Sequence, residues 1–195
     1  NFINPMQING TGTSIYVGGG ITCNTIIYGT APIILTGTGT WSGAGQIRNN
    51  LTINTTGVIT VNGGVAYNSG TLAYSAGTVI TTGSTLSIAY ASTLNTSGIT
   101  WNNISNFSTG NVTLLSDIYM NGTLRLQSAT GNINGFNIYC SGNLLADTNN
   151  ATAGTTGIIL NGTGTWSGAG QLKNNTTINT TGTTSIVGTV YYNTG

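Results

Sequence analysis

Few residues in this 195-residue chain could do chemistry, and their types narrow the choice at once. There are two carboxylates, Asp117 and Asp147, two thiols, Cys23 and Cys140, and no Glu or His. Paired carboxylates about 5 to 10 Å apart cleave glycosidic bonds as acid and base or nucleophile. Without His, neither a Ser-His-Asp triad nor a His-based metal site can be built. A calcium-binding nonapeptide solenoid would need a repeated Asp, which is also missing. Whether Asp117 and Asp147, 30 positions apart, can meet depends on the elements that carry them.

Those elements read as short strands. Apolar beads such as Ile15-Tyr16-Val17, Ile26-Ile27-Tyr28, Ile33-Ile34-Leu35 and Leu86 to Ile88 are rich in types that suit a pleated surface. Between them lie Gly, Asn, Thr and Ser in pairs such as NG, GG, SG and TG, which form turns. Gly interrupts nearly every short window and no helical periodicity is sustained. A bead arrives every six or seven residues, closer than the roughly 8 to 12 of a sandwich. The spacing therefore predicts an all-β parallel β-solenoid (a β-helix). Each rung would hold three short strands in about 20 residues, each rung pairing with its neighbours, with roughly nine rungs in one segment over 1–195. At about 4.8 Å per strand the rod would be about 40 to 45 Å long.

Thirty residues is not a whole number of such rungs, so Asp117 and Asp147 should not stack. Catalytic, cofactor-binding and metal-ligating residues are therefore assigned to no position, and neither enzymatic activity nor a cofactor is expected. The two Cys read as small buried hydrophobes, since the architecture disfavours an intrachain pair, although a disulfide would need only an oxidising compartment.

Charge excludes other classes. Charged residues make up 3% of the chain, against about 25% in an ordinary domain. Arg48, Arg125 and Lys173 leave a net charge of +1, too little to neutralise a phosphate backbone, so nucleic-acid binding is not expected. No run approaches the roughly 20 apolar residues of a membrane helix, so membrane insertion is not expected. A surface with so few charges lacks the usual brake on self-association.

The phrase GTGTWSGAGQIRNN (37–50) returns as GTGTWSGAGQLKNN (162–175). Residues 33–70 align with 158–195 without a gap, and over 33–57 only Thr36/Asn161, Ile47/Leu172, Arg48/Lys173 and Leu51/Thr176 differ. About two rungs are matched, as expected if whole solenoid turns were copied. The second copy reaches Gly195, the counterpart of Gly70, where the first runs on into TLAYSAG, so the natural polypeptide is expected to continue.

Trp41, Trp166 and Trp101 are read as corner plugs with the indole N–H bonded to a backbone carbonyl, the alternative being exposed platforms for a sugar ring. Arg48 and Lys173 are read as solvated corner charges, or as gatekeepers against lateral sheet pairing. The pairs Asn49-Asn50, Asn102-Asn103, Asn149-Asn150 and Asn174-Asn175 either stack as amide ladders or fill turns. Sequons at Asn50, Asn54, Asn95, Asn111, Asn121 and Asn179 arise readily in a chain made of Asn and Thr.

IILTGTGTWSGAGQIRNNLTINTTGVITV (33–61) resembles the coils of right-handed β-helix passengers such as autotransporter and filamentous-haemagglutinin-like adhesins. AGTVITTGSTLSIAYASTLNTSGITWNNIS (76–105) is similar to repeats in long fibre proteins of environmental tailed phages. The resemblance implies a structural fibre module. Such a stiff rod, extracellular, at a cell surface or on a virion, would serve attachment, spacing or filament assembly. Its partners would be itself, neighbouring fibre segments or cell-surface glycans. The alternatives are an ice-binding solenoid and a subunit of a self-polymerising filament. The TGT triplets at 11–13, 36–38, 38–40 and 163–165 follow no single rung period, so no continuous Thr ladder is evident.

Overall fold

The computed structural model describes residues 4–106, 109–127, 131–147 and 153–192. Its regular structure is entirely β-strand, and every strand pair is parallel. The chain winds as a β-solenoid of about nine turns with successive rungs about 20 residues apart. The rungs are triangular. The first face carries Ile15–Val17, Ile33–Leu35, Ser92–Asn95, Val112–Leu114 and Ile133–Gly135. The second carries Ile21–Thr22, Gly39–Ser42, Thr100–Trp101, Ile118–Met120, Ile138–Cys140, Ile158–Leu160 and Thr176–Ile178. The third is one ten-stranded sheet from Met6–Gln7 to Thr184–Val187.

Alternation along each short strand sends every second side chain inward, and the parallel register stacks like on like. On the first face Ile15, Ile33, Leu51, Leu72, Leu94 and Leu114 follow one another rung by rung. On the third, Val65, Leu86, Ile104, Leu124, Leu144 and Trp166 do the same. All but Ile15, which packs half-buried against the core, are buried. Each such side chain contributes roughly 1.5 to 3 kcal/mol by leaving water.

Two rungs depart from the expected bead-and-turn pattern. Leu51–Val61 and Gly70–Ile80 are single strands of 11 residues that pass from the first face to the second without a break. Gly57 and Gly77, expected as turns, lie inside them. The pairing between these strands shifts register around Ala76, and that irregularity lets the sheet bend through the corner while its ladder continues.

The duplicated segments do not occupy the same faces. Ile33–Leu35, Gly39–Ser42 and Gln46–Arg48 lie on the first, second and third faces. Their copies Ile158–Leu160, Gly164–Ser167 and Gln171–Leu172 lie on the second, third and first. The offset of 125 residues is six turns plus one face, so the copies are not related by whole turns.

Candidate functional site

The two carboxylates are separated and each is engaged. Asp117 precedes Ile118–Met120, and its Oδ1 accepts from the backbone N–H of Asn137 one rung on, at 3.0 Å. Asp147 follows the third-face strand Asn143–Ala146 and accepts from Arg125, with Nη2 at 2.9 Å and Nε at 3.0 Å. They stand on different edges of the prism, and no acid–base pair is formed between them. Cys23 and Cys140 are free and buried. The Cys23 thiol donates to the Thr25 carbonyl at 3.0 Å, and burial pushes both thiols up in pKa.

The tryptophans are core residues, but they lie on strands and not in corners. Trp41 and Trp101 point inward from second-face strands, 1% and 0% exposed. The indole N–H of Trp101 donates to the Thr96 hydroxyl at 3.2 Å, a side-chain oxygen and not the backbone carbonyl expected. Trp166 packs edge-on against Tyr192, with centroids 6.3 Å apart.

Among the described residues no amide-on-amide ladder is formed; Asn49, Asn50, Asn102, Asn103 and Asn174 bond the backbone of neighbouring rungs. Asn103 spans three rungs: its Nδ2 donates to Ser84 O at 3.2 Å and its Oδ1 accepts from Thr123 N at 2.8 Å. Asn50 accepts from Thr71 N and Asn143 from Thr165 N, both at 2.9 Å. Asn49 and Asn174 are buried and donate to carbonyls of preceding rungs. An amide side chain offers one acceptor and two donors, which suits it to the unpaired backbone groups of a corner. The Asn149-Asn150 pair lies outside the described residues.

Several outward rows escaped the sequence reading. Thr71, Thr93 and Thr113 stand in register on the first face. Thr85, Asn103, Thr123 and Asn143 do so on the third. Each precedes an inward apolar residue, so the rows follow the strand register and not the TGT triplets. On the second face Tyr119 and Tyr139 stack at 5.1 Å with planes 12° apart.

Arg48 is not a solvated corner charge. It is half-buried, its Nε and Nη2 both donate to Gln46 Oε1, at 3.1 and 2.7 Å, and its Cζ lies 4.9 Å from the Tyr90 ring centroid. The cation–π contact and the two hydrogen bonds to Gln46 hold the guanidinium plane. The residues around it line an open surface groove of about 370 Å³ that includes Asn68, Ser69, Ala91, Thr109 and Gly110. It is the described groove that best combines a cation, an aromatic ring and polar groups.

The two ends of the described rod expose core positions. At one end Met6, Ile8, Ile15, Val17, Ile21, Ile27 and Ile33 line an apolar hollow of about 190 Å³. At the other, Ile178 and Tyr192 are 51% and 44% exposed, whereas their counterparts Ile53 and Tyr67 are both 0% exposed beneath the next rung.

No family model matches the chain, and comparison with the curated proteins and with the solved structures finds no match.

Proposed function

We propose that this chain is a non-enzymatic structural fibre module: a stiff β-solenoid rod, displayed outside a cell or on a virion, that serves attachment, spacing or filament assembly. The observation that carries the reading is the continuous parallel stack: ten strands pair side by side along the third face, rung upon rung. A ladder of this kind can be extended by more of one chain or by a second copy. Ten strands at about 4.8 Å already make the third face about 43 Å long. The near absence of charge removes the repulsion that would oppose such stacking.

Electron microscopy of the native assembly, combined with intact mass, tests this. A uniform rod about one solenoid wide, with either covalent continuity or an end-to-end joint between copies, is the expected image. A dispersed particle that buries neither end in any native preparation would overturn it.

The Thr rows support a second reading, a face that orders water into ice. Asn103 and Asn143 break the Thr row on the third face and the Arg125–Asp147 ion pair lies two positions along from it, and Leu115 and Phe136, both more than half exposed, flank the Thr113 row. Thermal hysteresis at millimolar protein would place this reading first.

A further inference from the structure

We infer that the groove beside Arg48 binds a carboxylate-bearing saccharide, such as a uronate residue in an extended acidic glycan lying along the solenoid axis. The recognising element is the guanidinium. Gln46 Oε1 takes the Nε and Nη2 protons, and the Tyr90 ring covers the plane. The Nη1–Nη2 edge remains, a planar fork that matches the two oxygens of a carboxylate. No carboxylate of the chain uses it: among the described residues the one ion pair joins Arg125 to Asp147. The charge is therefore held in one orientation and left without a counter-ion on a nearly neutral surface, where it is poorly screened by other side chains.

The groove gives the ligand its second feature. It crosses four rungs, from Arg48 past Ser69 and Tyr90 to Thr109, about 14 Å at the strand spacing of a sheet. Ser69 and Tyr90 place hydroxyls along it on successive rungs, as partners for the hydroxyls of a linear sugar chain, while Asn68 is buried with its Oδ1 accepting from Ala89 N. Its floor is kept low by small residues, since a Cβ at Gly110 would come within 2.9 Å of Ala91 Cβ. The duplication supplies an internal comparison. Lys173 stands where Arg48 does in the first copy, but it lacks the planar fork.

The Arg48 edge could equally receive a phosphate, so the test must separate the sources. This site does not depend on the rod reading, and a monomeric chain would bind as well as an assembled one. Titration calorimetry of the whole chain with trigalacturonate, a neutral galactose trimer and inorganic phosphate is the experiment. Saturable binding of trigalacturonate is expected, at least tenfold tighter than that of the neutral trimer or phosphate. Arg48→Gln and Ala91→Leu should each weaken it at least tenfold, the first by removing the charge and the second by filling the floor. Lys173→Gln should leave it unchanged, and circular dichroism melts confirm that each variant is folded. Absent saturation, equal binding of phosphate or of the neutral trimer, or folded Arg48→Gln and Ala91→Leu variants that bind like the parent would each overturn the assignment.

Discussion

Asn49 and Asn174 make the same two bonds on different edges of the prism. The Nδ2 of Asn49 donates to Ala31 O at 2.9 Å and to Ile8 O at 3.5 Å; that of Asn174 donates to Thr156 O at 3.0 Å and to Ile133 O at 3.4 Å. Both side chains are 1% exposed or less, so each supplies donors to carbonyls that water does not reach. Asn49→Ala should cost about 2 kcal/mol in urea unfolding, because the Ala31 and Ile8 carbonyls lose their side-chain donor. Asn50→Ala removes a bond at an exposed position, and should cost under about 1 kcal/mol. Equal losses in the two variants would show that burial does not set the strength of these staples.

Tyr67 is fully buried and its hydroxyl donates to Asn49 O at 2.9 Å. Burial drives its pKa well above that of a free tyrosine. The folded state therefore keeps this proton where the unfolded chain releases it, at about pH 10. Its contribution is full below that pH, and above it stability falls as pH rises, by up to about 1.4 kcal/mol per pH unit until the folded-state pKa is reached. Tyr67→Phe should lower stability by about 1 kcal/mol at pH 8. It should also shrink the loss between pH 8 and pH 11, measured by urea melts at each pH. An unchanged alkaline slope would count against Tyr67 as its source.

Gly37 passes so close to the preceding rung that a Cβ would overlap the Gly18 carbonyl oxygen, and its copy Gly162 meets the Ser141 carbonyl in the same way. The obstacle is backbone, which cannot swing aside as a side chain can. Gly37→Ala should cost about 3 kcal/mol or more, seen as a lowered thermal midpoint. Gly19→Ala, with nothing within 4 Å of its Cβ, should stay close to the parent.

Cys23 and Cys140 are buried thiols whose pKa values burial raises. Thiolate is the reactive form, so both should resist an aromatic disulfide reagent in the native state and react together on unfolding. Colour development at pH 8 with and without denaturant checks this. Rapid native reaction of either thiol would contradict its placement.

The solenoid was legible because its signals are local. Beads such as Ile33-Ile34-Leu35, separated by Gly and Asn turns, specify strand, corner and inward face within a few residues of one another. The Arg48–Tyr90 contact was not legible, because the two lie 42 positions apart. Their meeting needs the residues between them to make up two rungs, and rung length varies. Ile47 and Tyr67 pair 20 residues apart, while Leu86 and Ile104 pair at 18. The Thr71, Thr93 and Thr113 row was hidden for the same reason, its members being 22 and 20 residues apart.

By itself, then, the amino-acid order determined an all-β coil, its average rung of about 20 residues and its apolar interior. Tertiary structure decided the face on which each phrase falls. One nearly identical segment occupies the first, second and third faces in one copy and the second, third and first in the other. The three faces present equivalent parallel ladders and equivalent apolar interiors, so local energetics do not distinguish them. Only the number of strands wound beforehand does, and that count sets Gln46–Arg48 on the third face and Gln171–Leu172 on the first.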